Sequence, residues 1–357
     1  MIAAEPSLVV PIFSAKADAT HIADLVRSAA NSGSTIAVTG CGTSETAGMA
    51  VTDLLTDSLK RIGIERPLVH SRQAFEAALE PWPGGLCLGI SHEGGTRATI
   101  LAMEAARSAR AATALITARP QSPGVAAADA VFTTPLVDRS WCHTVGYLSP
   151  ILAGAAIADA VAPSRLEATG LQSDLGAILA STEHSDSLAR TLYGVDRLII
   201  TAAGHDRSPA RELALKIEEG VRLPSRFLEL ETVLHGHLAA ADLRTGLVLV
   251  ATDARDRVMT RSGMLLDAAR AIGLRFGAIV SAEVDQRFAS RPDLPRFVLP
   301  KQLERHGLIG RFAGAALALQ QLAVALTRLA RTNPDLIRRD QQPYRDAARA
   351  AEGSAGW

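Results

Sequence analysis

Three charged residues at helical spacing could carry out acid–base chemistry. The segment Ser208–Val221 begins with Ser-Pro, a favourable N-cap and first-turn pair, and therefore predicts a helix. Glu212, Lys216 and Glu219 stand at positions i, i+4 and i+7 and so share one face of that helix. A partly buried carboxylate on such a face can act as a general base. The alternative is a solvated ion pair, which charged helix faces usually form.

Two stretches rich in Gly, Ser and Thr could bind an anion. The apolar run Leu86–Ile90 predicts a buried strand, and a helical pattern follows the polar residues after it. A second such turn follows a strand-like run that begins at Thr35, and there Glu45 replaces the third glycine of a dinucleotide-binding motif. Turns of this kind present backbone N–H groups and hydroxyls to a ligand, although ordinary strand–helix turns favour the same residues. The two turns read Gly40-Cys41-Gly42-Thr43-Ser44-Glu45 and Ser91-His92-Glu93-Gly94-Gly95-Thr96.

A histidine pair follows the charged helix. His235 and His237 form an H-x-H motif, which could bind a metal ion. No third ligand of suitable type stands at motif spacing, so no metal site is predicted.

The elements that must position these residues alternate between strand and helix. Residues 1–15 predict an extended lead-in, Asp18–Ala30 an amphipathic helix and Gly146–Ala162 a long helix that closes the first unit. Alternation of this kind predicts βαβ units around a parallel sheet. The strand-like runs of the first half are Thr35–Thr39, Pro67–His70, Leu86–Ile90, Ala112–Thr117 and Ala130–Pro135.

The same order of strands recurs in the second half with similar spacing. Strand-like runs stand at Arg197–Ala202, Leu247–Thr252, Phe276–Ser281 and Phe297–Pro300, which indicates duplication of one unit. There Thr252-Asp253-Ala254-Arg255 replaces the hydroxyl-rich turn, so one anion site per chain is predicted, in the first half. A final apolar helix is predicted over Gly310–Ala330, followed by the charged tail Asn333–Trp357, for which a solvated and partly disordered end is one interpretation.

Composition narrows the class of protein. The 357 residues carry 37 basic and 37 acidic side chains, so a nucleic-acid partner is not indicated. Cys41, Cys87 and Cys142 show no paired spacing, which fits a reducing cytosol. Neither a signal peptide nor an uncharged run of membrane-spanning length is predicted.

Taken together, the two turns resemble a known family. GCGTS after a first strand and S-x-x-G-x-T after a later one look like the SIS (sugar isomerase) domain, and the resemblance covers nearly the whole chain. It implies an α/β protein of two SIS domains, each a three-layer α/β/α sandwich around a mainly parallel five-stranded sheet. The implied division is residues 1–165, residues 185–330 and a tail, residues 331–357, which in the family folds back over the sugar.

The resemblance also implies roles for individual residues. Glu219 matches the carboxylate that moves a proton between C1 and C2, and His235 the imidazole that assists ring opening. That imidazole reaches the neighbouring subunit's site in the family, which implies a homodimer with shared active sites. His143 replaces a Ser of the family's V-A-S-T-K segment and could be a sugar ligand or merely a neighbour of the helix start. The implied substrate-binding residues are Cys41, Gly42, Thr43, Ser44, Ser91, His92, Glu93, Thr96, His143, Thr144 and Lys216.

Three departures from the family pattern bear on substrate. Glu93 replaces a Ser of the signature, no Lys follows Lys301, and the chain carries no glutaminase domain with a leading Cys. The third makes glutamine-dependent amination by this chain unexpected. Two interpretations of Glu93 remain. Its side chain either turns away from the site, so that the hydroxyls hold a phosphate, or it stays and the ligand presents a hydroxyl or amine there. The sequence favours the second interpretation.

The expected function is cofactor-free aldose–ketose isomerisation of a sugar or sugar phosphate through an enediol, in the cytoplasm. A fructosamine deglycase is the alternative enzyme. A non-catalytic sugar sensor is the alternative from another class, although it would have no use for Glu219 and His235 at catalytic spacing.

Overall fold

The chain forms two parallel five-stranded sheets flanked by helices, an α/β architecture. The computed structural model describes residues 1–164 and 166–352. The strands are β1 (Ile36–Gly40), β2 (Val69–Gln73), β3 (Leu86–Ile90), β4 (Ala112–Thr117), β5 (Ala130–Thr133), β6 (Arg197–Ala202), β7 (Ser225–Glu229), β8 (Thr245–Ala251), β9 (Arg275–Val280) and β10 (Arg296–Val298).

Helices cover both sheets and connect their strands. They are α1 (Val9–Ser14), α2 (Lys16–Asn31), α3 (Thr43–Arg61), α4 (Ala74–Leu79), α5 (Arg97–Ser108), α6 (Val145–Val161), α7 (Ala168–Leu179), α8 (Glu183–Leu192), α9 (Arg207–Lys216), α10 (Leu230–Leu234), α11 (Asp256–Ile272), α12 (Ala282–Arg287), α13 (Gly307–Ala330) and α14 (Gln342–Glu352).

The two sheets have the same strand order. The first runs β2-β1-β3-β4-β5 and the second β7-β6-β8-β9-β10, and every pairing is parallel. The order reverses between β1 and β3, and again between β6 and β8. Ligands of open α/β sheets bind at such switch points, beyond the carboxyl ends of the strands. The topology therefore marks two candidate sites, one on each sheet.

Two apolar helices form the centre of the core. Helix α6 is buried along nearly its whole length and packs on α2, α3 and α13. Helix α13 is long and apolar enough to cross a membrane, yet 83% of that stretch is buried inside the protein. This is the packing of a core helix, because both faces of α13 contact protein.

Two local expectations were wrong. Residues 1–15 are not extended: they form the turns Ile2–Ala4 and Pro6–Leu8 and then helix α1. Apolar residues at helical spacing, among them Val9 and Ile12, pack this segment against α6 and α7. The edge strand β7 was not predicted, because its exposed and half-buried residues lack an apolar run. The tail forms helix α14, and residues 353–357 lie outside the described residues.

Candidate active site

A wide cleft lies at the switch point of the first sheet. It has a volume of about 1420 Å³ and is bordered by the turns after β1 and β3, the loop before α6, the end of α9 and the tail. Nine of the predicted site residues line it: Cys41, Gly42, Thr43, Ser44, His92, Glu93, Thr96, His143 and Glu219.

The turn after β1 is shaped by glycine. Gly42 has φ +55°, a conformation that side chains disfavour, and it directly precedes helix α3. Thr43 and Ser44 thus begin the helix at the edge of the cleft, where the positive end of the helix dipole favours an anion. Cys41 is half-buried beside them, and burial raises the pKa of its thiol, so the residue carries no negative charge into the cleft near neutral pH.

The turn after β3 divides its residues between cleft and interior. Ser91 is buried, and its Oγ donates to Thr96 Oγ1 at 3.2 Å, so it supports the turn from behind. Glu93 lines the cleft with 57% of its side chain exposed, 3.7 Å from Arg119. This loose, exposed pair offsets the carboxylate charge only weakly.

His92 is held by the protein itself. Its Nε2 accepts the backbone N–H of Asp138 at 2.7 Å. Burial, together with the nearby His143, lowers the pKa of His92 to about 4, so its ring is neutral at physiological pH. His92 therefore fastens the loop before α6 to the turn after β3.

Asp138 is the site residue that the sequence analysis missed. Its carboxylate accepts N–H groups of Ser140, Thr144 and Gly146 at 2.7 to 3.0 Å and the Ser140 hydroxyl. Burial raises the pKa of Asp138, but His143 and these hydrogen bonds lower it further, so the group is ionised. The available signal was an acidic residue a few positions before a predicted helix start.

The charged face of α9 is buried. Lys216 is 2% exposed, and its Nζ donates to Glu219 Oε2 at 2.6 Å and to Thr43 Oγ1 at 3.1 Å. Glu212, fully buried, lies 3.3 Å from the same Nζ and accepts the hydroxyls of Thr43 and Thr46. The solvated ion pair considered from the sequence is therefore wrong, because α9 packs against α3.

The two carboxylates of this network fix the charge of Lys216. Burial lowers the pKa of Lys216, but Glu212 and Glu219 raise it more, so the ammonium remains charged. Glu219 lies in the π-helical turn Ile217–Val221 that continues α9, a local geometry that often marks functional sites. With 25% of its side chain exposed, Glu219 is the member that reaches the cleft.

Thr144 and Lys216 line a smaller cavity behind the cleft. It has a volume of about 290 Å³, and Cys142 and Gln320 also border it. The Thr144 hydroxyl has no hydrogen-bond partner among the described residues. These two predicted binding residues therefore face the interior side of the cleft wall.

His235 stands apart from the cleft of its own chain. It follows α10, is 71% exposed, and its Nε2 lies 2.8 Å from Glu231 Oε1, which Arg261 also contacts. It is absent from the residues that line the cleft within the part of the chain that the structure describes. The tail, in contrast, reaches the cleft through Ile337, Arg339 and Ala351, and Arg339 stacks 4.0 Å over Trp141.

No protein-family model matches the sequence, and no curated protein matches it. Solved structures match over nearly the whole chain. The C-terminal domain of glucosamine-fructose-6-phosphate aminotransferase from Francisella tularensis superposes with a TM-score of 0.79 at 19% identity, covering 94% of this chain and 96% of that one. This chain has the sugar-isomerase fold.

Two further solved structures share that fold. Tagatose-6-phosphate ketose/aldose isomerase from Escherichia coli has a TM-score of 0.73 at 18% identity, with 94% of this chain and 93% of that one covered. Glucosamine-6-phosphate deaminase from Thermotoga maritima has a TM-score of 0.66 at 17% identity, with 85% and 88% covered. The resemblance drawn from the two glycine-rich turns is thereby confirmed for the sugar-isomerase fold.

Proposed function

We propose that this protein is an aldose–ketose isomerase that acts on a sugar or sugar phosphate through an enediol. The observation that carries the proposal is the placement of Glu219: it reaches a cleft at a switch point while a buried ammonium, Lys216 Nζ, holds its carboxylate at 2.6 Å. The names of the similar structures, which include a ketose/aldose isomerase, support the same class of reaction.

In the proposed mechanism Glu219 moves one proton. It takes a proton from the carbon next to the carbonyl, the hydroxyl proton of that carbon passes to the former carbonyl oxygen in the enediol intermediate, and Glu219 returns its proton to the neighbouring carbon. Lys216 holds the carboxylate in place, since its Nζ donates to Glu219 and is itself anchored on Thr43. The hydroxyls and N–H groups of the two turns hold the far end of the sugar. The step uses no cofactor.

The same proposal covers the organisation of the chain. We take each sheet with its helix layers as one SIS domain, residues 1–165 and 185–330, with residues 331–357 as a tail over the site. We further propose a cytoplasmic homodimer whose ligand is a small sugar, with no role for nucleic acid or membrane. Because His235 is exposed away from its own cleft, its proposed role in ring opening requires a neighbouring chain.

A charge-removing substitution tests the proposed base. Glu219→Gln keeps the size of the side chain but cannot accept the proton, so turnover should fall at least ~10²-fold with little change in sugar affinity. Isomerisation is followed by NMR on a panel of phosphorylated and unphosphorylated ketoses and aldoses. Glu218→Gln, at the exposed neighbouring position, is the matched control and should stay near wild type. Full activity of Glu219→Gln would overturn the assignment.

Subunit mixing tests the homodimer. The variants Glu219→Gln and His235→Ala, each expected to be inactive alone, are purified separately and then mixed. If each site combines Glu219 of one chain with His235 of another, heterodimers contain one intact site and recover part of the activity. Exchange is verified by mass spectrometry of differently tagged chains, and exchange without recovery would place the site within one chain.

A further inference from the structure

The cleft contains a histidine and a carboxylate from one short loop, and we propose that they act on the sugar ring. In this proposal His143, oriented by Asp138, accepts the proton of the anomeric hydroxyl and so opens the cyclic sugar before isomerisation. The inference rests on the proposed isomerase activity, but it competes with the role proposed for His235: it gives ring opening to an imidazole of the same chain in place of His235 of a neighbouring chain.

Asp138 is fixed before any ligand binds. Its two carboxylate oxygens accept backbone N–H groups of Ser140, Thr144 and Gly146, and the Asp138 N–H itself donates to His92. An ionised carboxylate held by so many donors cannot swing toward solvent. It therefore provides a rigid negative charge at the base of the cleft.

His143 has one ring edge toward Asp138 and the rest toward the cleft. Nδ1 is buried, has no hydrogen-bond partner within the described chain, and lies 3.7 Å from Asp138 Oδ2. The side chain is 34% exposed and lines the cleft. The close approach depends on Gly146, because a Cβ there would lie 3.2 Å from the imidazole. Shortening of the Nδ1–Oδ2 contact on ligand binding would follow the usual behaviour of catalytic hydrogen bonds.

The other imidazole of the cleft is already engaged. His92 lies beside His143, with ring centroids 5.8 Å apart, but its Nε2 accepts a backbone N–H. His143 is therefore the cleft imidazole that remains available to a ligand. A carboxylate at one nitrogen favours the tautomer that carries the proton there and leaves a lone pair at the other, the arrangement of a general base.

The proposed step balances without a further reactant. Nε2 of His143 takes the proton from the anomeric hydroxyl, and the electron pair of that O–H bond forms the carbonyl. The bond between the anomeric carbon and the ring oxygen breaks, and the ring oxygen takes that proton back from Nε2, relayed by a water molecule, so the imidazole returns to its starting form. The open-chain ketose then presents its α-proton to Glu219.

A ketose that forms a ring and an analogue that cannot form one separate ring opening from isomerisation. The probe is fructose 6-phosphate or fructose, whichever the wild type turns over faster, compared with an analogue that cannot cyclise, 5-deoxyfructose 6-phosphate or 5,6-dideoxyfructose respectively. His143→Gln should lower turnover of the cyclic ketose at least ~10²-fold and leave the open-chain analogue within about threefold of wild type. His21→Gln, on the exposed face of α2, is the matched control.

The outcomes separate the two proposals. Glu219→Gln should abolish turnover of both probes; if it does not, or if the wild type isomerises no sugar of the panel, the proposed function fails and this inference with it. If Glu219→Gln turns over neither probe while His143→Gln changes the turnover of both probes by the same factor, the isomerase proposal stands and the role of His143 is overturned.

A spectroscopic measurement tests Asp138 as a positioning residue. In protein with ¹⁵N-labelled histidine, His143 should be the tautomer protonated at Nδ1, and Asp138→Asn should shift it toward the Nε2-protonated form. A merely structural role for Asp138 would leave the tautomer of His143 unchanged. Circular dichroism establishes that the variant is folded, and if it is not, the wild-type tautomer alone decides, since protonation at Nε2 would overturn the proposal.

Discussion

The switch points of the two sheets have the same topology and opposite contents. At the first, the turns after β1 and β3 lead to Thr43, Ser44 and Thr96, whose hydroxyl-bearing side chains border an open cleft. At the second, β6 and β8 end beside a carboxylate of the chain itself: Asp206 is buried, and it accepts the Thr252 N–H at 2.7 Å and the Thr252 hydroxyl. The second site is thus occupied internally where the first is open.

The adjacent residues complete this closure. Asp253 accepts the backbone N–H and the guanidinium of Arg255, so the turn after β8 satisfies its own charges. Strand order sets where a ligand can bind, whereas the two or three residues after each strand decide whether one does. The single anion site expected from the sequence stays a prediction, which the experiment below tests.

A carboxylate introduced into the turn after β1 should exclude an anionic ligand from the open site. Ser44→Asp would offer the turn after β1 an internal acceptor comparable to Asp206. Against an anionic ligand at ~4 Å, with an effective dielectric of about 20, the added charge costs about 4 kcal/mol, so affinity for fructose 6-phosphate should fall at least ~10²-fold. Calorimetry measures it, with Ser44→Asn as the uncharged control of similar size. Equal loss in both variants would show that volume, not charge, closes the site.

Neutralising Asp206 should alter the pH dependence of stability. Burial, followed by the nearby Asp253, raises the pKa of Asp206 to about 6 from 3.8 despite the Thr252 hydrogen bonds. The folded state then binds more protons than the unfolded state between these values, so this group's contribution to stability falls as pH rises through them.

Asp206→Asn removes that titration. Its free energy of unfolding relative to wild type should rise by up to about 3 kcal/mol between pH 4 and pH 7, at about 1.4 kcal/mol per pKa unit. Urea denaturation at the two pH values provides the measurement. Asp256→Asn, at an exposed position, should show no comparable change. A relative stability of Asp206→Asn that is flat with pH would contradict internal occupation by a buried carboxyl group.

Glu93 brings a carboxylate of the chain to the open cleft. We expect its carboxylate, at a cleft position where the resemblance places a Ser, to disfavour phosphate. Because Glu93 is half-exposed and near Arg119, the effect should be moderate, and Glu93→Ser should gain about tenfold in affinity for fructose 6-phosphate over fructose. Glu76→Ser, on the neighbouring helix, controls for overall charge. If the wild type prefers the phosphorylated sugar and Glu93→Ser gains nothing, Glu93 does not exclude phosphate.

The smallest effect is expected at an ion pair beside the closed site. His205 Nδ1 lies 2.9 Å from Asp53 on α3, and this carboxylate raises the pKa of His205. The stabilisation is therefore present at low pH and lost as pH rises through the folded-state pKa. Asp53→Asn should cost less than about 1 kcal/mol at pH 5.5 and nothing at pH 8.5, by thermal unfolding. Asp57→Asn, which breaks an ion pair with Arg61 on the same helix, should change the stability equally at the two pH values.

Local sequence pattern determined most of the elements. The predicted bounds of β3, β4 and β6 agree with the structure, because short apolar runs between turn residues allow little else. The two glycine-rich turns were identifiable for the same reason: their residue types act within a few positions of one another. The order of the strands then brought those turns together, as the parallel pattern predicted.

Only the tertiary structure decided the protonation and reach of the candidate catalytic groups. The sequence permitted a solvated pair at Lys216 and Glu212, but Thr43, 169 residues from Glu212, contacts both and helps bury them. The same holds for Asp138, whose role depends on His92 from another turn. Helical spacing fixes which residues share a face, whereas burial depends on what packs against that face, and those contacts come from residues far away in the chain.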